Sequence, residues 1–392
     1  HTTPEVGVAL RFALAGSVVL ALSAARGLRL RFTPREHALL ALQGSFMYGV
    51  SYICVYHAEQ HVVSGLVAVG YSASPLVAGL GAHALFGLRV TGRFLAGGLL
   101  GLEGQATAVY FEAFRRMFKR LGFERRGERT ILADLDRRVP FIAQRVLYPD
   151  VALPDQAWIF IITTTGCVLQ GDRFALDVSL GPGARAHVTT QSATKIHSMD
   201  ANYAVQAQTI TLADDSYLEL LPEPLIPHRR ARFLSDTRIS IAPSASLLYA
   251  EIVQPGRKYH HAGEAFGATL LSLAVEAHRP DGRLLCSEKL LIEPASRPVR
   301  QTGVMGAFDV FGNVLLLTPP DCAQRIQARV EADLDLEEGV ASGACVLPND
   351  AGLIFKALGR ETAQVKAEVR KFWGIAREEI TGKPLPPPYF WR

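Results

Sequence analysis

Phe174-Ala175-Leu176-Asp177-Val178-Ser179-Leu180, then Gly181-Pro182-Gly183, then Ala184-Arg185-Ala186-His187-Val188 is the stretch that decides the fold. Apolar side chains at 174, 176, 178 and 180 alternate with Asp177 and Ser179, and those at 184, 186 and 188 alternate with Arg185 and His187. A period of two belongs to a strand with one buried face, and Gly-Pro-Gly is turn chemistry. The stretch therefore reads as strand, tight turn, strand. The same device recurs where 209–212 turns at Ala213-Asp214-Asp215-Ser216 into 217–220, and where 238–241 turns at Ala242-Pro243-Ser244-Ala245 into 246–249. The three turns lie about 30 residues apart, within the range of periodic architectures. The expectation is a stack of similar hairpins, each covering the apolar face of the last. That makes a mainly β, elongated, layered or β-helix-like sheet domain.

Two surface helices are expected after the sheets. One covers 322–338, with Ile326, Val330 and Leu334 on one side; the other covers 351–370, with Ile354, Leu358 and Val365. The proline-rich tail 384–392 reads as extended. Its aromatics, Tyr389, Phe390 and Trp391, are either an anchor on the chain's own surface or a docking segment for a partner.

Upstream the pattern changes. Residues 111–128, with Arg115, Arg116, Lys119, Arg120, Glu124, Arg125 and Arg126, read as a solvated charged connector to a β domain over 129–392. Before it lie apolar runs at 6–25, 37–56, 62–86 and, interrupted by Glu103 and Gln105, 94–110. A membrane helix needs about 20 mostly apolar residues, so 1–110 is expected to be a partial all-α transmembrane segment of three to four helices. A buried helical bundle is the alternative. Arg26, Arg29, Arg31 and Arg35 place the first loop on the cytoplasmic side. Glu103 and Gln105 argue against a full fourth span, which leaves the β domain in the cytoplasm.

Composition narrows the function. With 392 residues, 49% hydrophobic, and a formal charge of only +4, the chain has material for two cored domains and no basic stripe for nucleic acid. Five cysteines, Cys54, Cys167, Cys286, Cys322 and Cys345, are widely spaced, with no Cys-x-x-Cys pair for zinc. No nucleophile elbow, phosphate loop or His-Glu-x-x-His is present, so no enzyme is spelled out.

Three passages, taken in order, resemble one family: Thr163-Thr164-Thr165-Gly166-Cys167-Val168-Leu169-Gln170-Gly171-Asp172, then Thr189-Thr190-Gln191-Ser192-Ala193-Thr194-Lys195-Ile196-His197, then the run from Leu218-Glu219-Leu220 through Glu223 to His228-Arg229-Arg230. Over about residues 118–392 the chain resembles the urease accessory protein D family (UreD, also called UreH). The resemblance implies a non-enzymatic maturation factor that binds apo-urease on one face and UreF on another, with UreG joining through UreF. It implies no permanently bound cofactor, only transient nickel(II) guided along a water-filled tunnel. By the same resemblance Asp155, Asp172, Glu251 and Glu264 are candidate tunnel carboxylates. Cys167 stands where the family has the second of two glycines, and is either a sulfur ligand or packed away. Sparse, hydrated ligands suit such a relay, because nickel accepts oxygen, imidazole and thiolate and conduction needs sites weak enough to release it. Lys195, His197, Glu219, Glu223, Arg229, Arg230 and Trp391 are candidates for partner contact.

Residues 1–110 resemble part of an EamA-type drug/metabolite transporter. The likeness rests on the basic loop Arg26-Gly27-Leu28-Arg29-Leu30-Arg31, on Thr33-Pro34-Arg35-Glu36, and on 65–68 and 74–77. This would tether the β domain at the inner face of the cytoplasmic membrane. Two rival readings remain: a transporter fragment with a passenger β domain, or a β-sheet binding module without a metal role.

Overall fold

The computed structural model describes residues 117–387, apart from 139 and 262, and scattered stretches of the first 116, the longest being 33–45. The chain separates into two compact units, His1–Tyr110 and Phe111–Arg392. In the first unit, helix α1 (Pro34–Gly44) starts at Thr33, whose hydroxyl accepts the Glu36 N–H while the Glu36 carboxylate accepts the Thr33 N–H. This reciprocal cap, with proline in the first turn, fixes the start of the helix. Among the described residues no helix is long and apolar enough to cross a membrane. The four predicted spans fall largely outside the described residues.

The second unit begins with β1 (Met117–Arg126), β2 (Arg129–Arg137), β3 (Phe141–Ala143), β4 (Ala157–Thr163), β5 (Arg173–Leu180) and β6 (Arg185–Thr190). It continues with β7 (Thr194–Ile196), β8 (Ala204–Leu212), β9 (Tyr217–Leu220), β10 (Leu225–Pro227), β11 (Arg232–Ile241) and β12 (Ser246–Val253). Then follow β13 (Leu270–His278), β14 (Leu284–Ile292), β15 (Val310–Leu317), α2 (Pro320–Arg329), β16 (Asp333–Asp335), β17 (Val340–Val346), β18 (Gly352–Gly359) and α3 (Thr362–Thr381). One sheet has the order β14-β13-β11-β8-β5-β1-β2; the other runs β16-β17-β18-β15-β12-β9-β6-β4-β3, with β7 and β10 beside it.

The layered, solenoid-like β architecture expected from the period-two pattern is present, but its units are not hairpins. β5 and β6 lie in different sheets. Each pairs in parallel with its counterpart one repeat later: Arg173 opposite Val205, Arg185 opposite Tyr217, and Tyr217 opposite Ser246. Gly183, at φ +65°, helps turn the chain from one layer into the other. Alternation states which face of a strand is buried; it does not state which strand it pairs with.

Three apolar clusters result. The largest fills one end of the space between the sheets, with Leu180, Leu212 and Ile241 meeting Leu218, Leu247 and Leu317. A second, with Phe174, Phe233, Val253 and Leu271, fills the other end. A third lies on the far side of the second sheet, where Val365, Val369, Phe372, Trp373 and Ala376 of α3 meet Leu248, Ala250 and Ile252. Those α3 positions follow the spacing of one helical face. At roughly 1.5–3 kcal/mol for each large apolar side chain buried, they bind the helix firmly to the sheet.

Three boundaries differ from the sequence reading. The supposed connector supplies β1, which pairs with both β2 and β5. Its Lys119 is fully buried and donates to the Ile142 carbonyl at 3.3 Å, with burial lowering its pKa to about 8. The first C-terminal helix stops at Arg329, so that Leu334 sits exposed in β16. The second begins only at Thr362, since 352–359 is a strand packed on both faces. A spacing of four between Ile354 and Leu358 fits a helix as well as a strand that is buried all round.

Candidate functional site

Between the two apolar ends of the sandwich runs a polar seam. From the first sheet come Gln208 of β8 and Thr237 of β11; from the second come Tyr249 and Glu251 of β12. The Gln208 amide donates to Thr237 Oγ1 at 2.9 Å and to the Tyr249 hydroxyl at 3.1 Å, and that hydroxyl donates to Glu251 Oε1 at 2.7 Å. All four side chains are buried. Directly opposite Glu251 in the ladder is Asn313, and opposite Asn313 is Lys356. Residues directly opposite share a face. Lys356 reaches back across the layers to Glu288 of β14 at 2.6 Å. Asn313 Oδ1 and the Ser235 hydroxyl, both buried, have no hydrogen-bond partner among the described residues.

Glu251 is the chemical centre of this seam. Among the described residues it forms no ion pair, and its one side-chain partner is a neutral hydroxyl. Burial pushes its pKa up to about 7; the Tyr249 bond pulls the other way, and the charge of Glu288 adds to the rise. Asp172, just before β5, is 2% exposed, and burial raises it to about 6, against the Leu169 N–H that bonds Oδ2 at 2.7 Å and the charge of Arg173. Asp172 thus caps its own turn and lines the interior at once.

The other candidate acids are placed differently. Asp155 lies beyond the opposite end of β5, at the level of Arg185, and is bound by Arg125 and by Arg185 at 3.5 Å. At ~3.3 Å rise per residue, the length of β5 puts roughly 25 Å between the levels of Asp155 and Asp172. Glu264 takes a two-pronged bond from Arg257, at 2.7 and 3.2 Å, and accepts the Arg229 N–H. Burial raises its pKa, but these bonds and the charge of Arg257 outweigh it and hold the carboxyl below its usual range. Glu264 is a fastener for the 256–267 loop. The scattered acids do not converge: among the described residues no three His, Cys, Asp or Glu side chains form a metal-holding group. The Cys167 thiol is half-buried and burial raises its pKa, against the pull of Lys195 and Arg257. It is a neutral thiol at neutral pH.

Of the partner-contact candidates, Lys195, Arg229 and Arg230 are exposed, with Arg230 paired to Asp200 at 2.9 Å. His197 is half-buried, and Glu223 is bound to Lys366 of α3 at 2.8 Å. Trp391 lies outside the described residues. Glu219 belongs to no surface. It is fully buried on the α3 side of the second sheet, where Tyr217, Trp373, Gln156, His187 and Arg377 all bond it, at 2.8 to 3.1 Å. Arg377 also pairs with Asp150. The strand's alternation, with both faces packed, draws this acid inward to meet a guanidinium.

Sequence reasoning missed Gln208, Thr237, Asn313, Glu288 and Lys356 because they come from five strands. The available signals were a lone amide or acid at an inward position of an otherwise apolar alternation. Arg377 could have been found in the same way, four residues after Trp373 on the apolar stripe of α3.

The UreD urease accessory protein family model matches residues 118–392. The urease accessory protein UreD of Photorhabdus laumondii is 54% identical over 275 residues, covering 70% of this chain and 86% of that protein. That of Yersinia enterocolitica is 52% identical over 308 residues, covering 75% and 95%, and UreD 2 of Brucella suis biovar 1 is 50% identical over 277 residues, covering 71% and 92%. The match leaves 1–110 aside, and the transporter resemblance read there has no support. By a family match that spans more than half its length, the chain belongs to the UreD urease accessory proteins.

Proposed function

We propose that this chain is a non-catalytic factor of urease maturation, acting in the cytoplasm, which guides nickel(II) toward apo-urease along its polar seam. It docks to apo-urease and to UreF, and reaches UreG through UreF. Nickel here is cargo, not a resident cofactor.

One observation carries the reading: Glu251, buried between the sheets, accepts from a neutral hydroxyl and has no cation of its own among the described residues. A carboxylate with a pKa near 7 exchanges a proton for a divalent ion with little loss either way. Nickel accepts carboxylate, amide and hydroxyl oxygens, and a single acid leaves its shell open. Asn313 Oδ1 and the Ser235 hydroxyl offer further oxygens along the same seam. Glu251 and Asp172, spaced along the interior, make successive weak sites rather than one tight one.

The test is Glu251→Gln, which keeps volume and hydrogen bonding and removes the charge. Co-expressed with urease, the variant is expected to co-purify with the same partners while urease nickel falls severalfold. Urease that is fully loaded beside Glu251→Gln and Asp172→Asn would end the proposal.

A further inference from the structure

At the Asp172 end of the sandwich two imidazoles lie side by side. The rings of His197 and His228 are 5.7 Å apart, centre to centre, and tilted by 55°. His228 is 6% exposed, and its Nε2 has no hydrogen-bond partner among the described residues. A buried polar atom left so costs about 1–3 kcal/mol unless something compensates for it. In His197, Nδ1 lies 3.2 Å from the Ser198 carbonyl oxygen, which only accepts. That bond puts the proton on Nδ1 and leaves Nε2 with a lone pair, the arrangement that orients a metal-ligating histidine.

We infer that His197 and His228 form a two-imidazole docking station for nickel(II), beside the carboxylate passage. This rests on the reading of the chain as a nickel guide and adds a place where the ion is held.

The ring separation is in the range for one shared ion. With a metal–nitrogen bond of about 2.0–2.1 Å, each ring centre lies about 3 Å from the ion, so two such rings sit roughly 4.5–6 Å apart. The guanidinium of Arg257 is paired with Glu264 by a two-pronged bond. That pair sits in the 256–267 loop, held tightly over Pro227: at Gly256, φ +116°, a Cβ would meet the Pro227 and Glu264 carbonyl oxygens at 2.7 Å. Two ring nitrogens complete no coordination shell, and a station of this kind releases its ion readily.

Nickel(II) titrated into the purified full chain tests this, read by calorimetry and by paramagnetically shifted imidazole proton resonances. His197→Ala and His228→Asn are each expected to weaken binding at least roughly tenfold, the scale of losing even an orienting partner of a ligand, and to abolish the shifted resonances. His197 is half-buried, so its variant carries the test even where a change at His228 disturbs the fold. The control is His260→Ala with His261→Ala, a histidine pair of the nearby loop. Loss of the nickel signal in that control, or wild-type binding in His197→Ala, overturns the inference. Glu251→Gln measured in parallel separates the two ideas: normal urease nickel with the station's resonances present defeats the carboxylate passage and leaves the imidazole pair standing.

Discussion

Two neighbouring parallel strands carry the same tripeptide pattern, Tyr217-Leu218-Glu219 and Tyr249-Ala250-Glu251, and put it to opposite uses. In both, the tyrosine hydroxyl donates to the glutamate two residues on, at 2.8 and 2.7 Å. Tyr249 pairs with Leu220, three positions beyond Tyr217, and this odd offset makes the two acids face opposite sides of one sheet. Glu219 faces α3 and is surrounded by Arg377, Trp373, Gln156 and His187; Glu251 faces the first sheet and has no positive partner among the described residues. A buried acid with its cation belongs to the scaffold. One held without a cation is available to an incoming ion. An odd register offset separates the two.

The largest effect that would sharpen this contrast is expected from Arg377→Met. Removing one partner of a buried ion pair costs about 3–5 kcal/mol, because Glu219 and Asp150 are left uncompensated. The urea midpoint should drop accordingly, and adding Glu219→Gln should recover part of the loss. Equal stability of Arg377→Met and the parent would break the comparison.

Next in size is a pH effect. Glu251 and Asp172 have folded pKa values raised to about 7 and about 6, above the values of free carboxylates. The folded state then binds more protons than the unfolded one, so stability falls as pH rises from about 4 toward 7. Glu251→Gln should flatten that slope by on the order of 3 kcal/mol across the window, read from urea unfolding at stepped pH. A slope that the substitution leaves unchanged would mean that Glu251 is not held as described. Trp373→Phe, which removes one donor to the Glu219 carboxylate, should cost about 1.5–3 kcal/mol in the same assay. Thr237→Val should cost only about 0.5–1.5 kcal/mol, since Gln208 keeps its bond to Tyr249.

The strands of the repeat were legible because alternation of apolar and polar side chains is local. At 174–180 it needs no knowledge of the partner strand. The pairing of β5 with β8 rather than β6 was not legible, because it depends on the turn crossing between layers. Glu251 is named by the family resemblance alone, and its cationless setting comes from β8, β11 and β15 together. Glu219 looked like any strand-end acid, and only Arg377, 158 residues away, shows it to be internal. The 352–359 segment misled for a related reason: packing on both faces removes the alternation that announces a strand.

That long reach between Glu219 and Arg377 has a consequence for biosynthesis. The coils of the solenoid emerge from the ribosome in order and can stack as they appear, each against its predecessor. The acid at 219 is laid into the growing stack long before its guanidinium has been translated. Until α3 arrives, that side of the sheet carries an unmet negative charge and an uncovered apolar strip, so the nascent protein stays open there and closes only when its last helix docks.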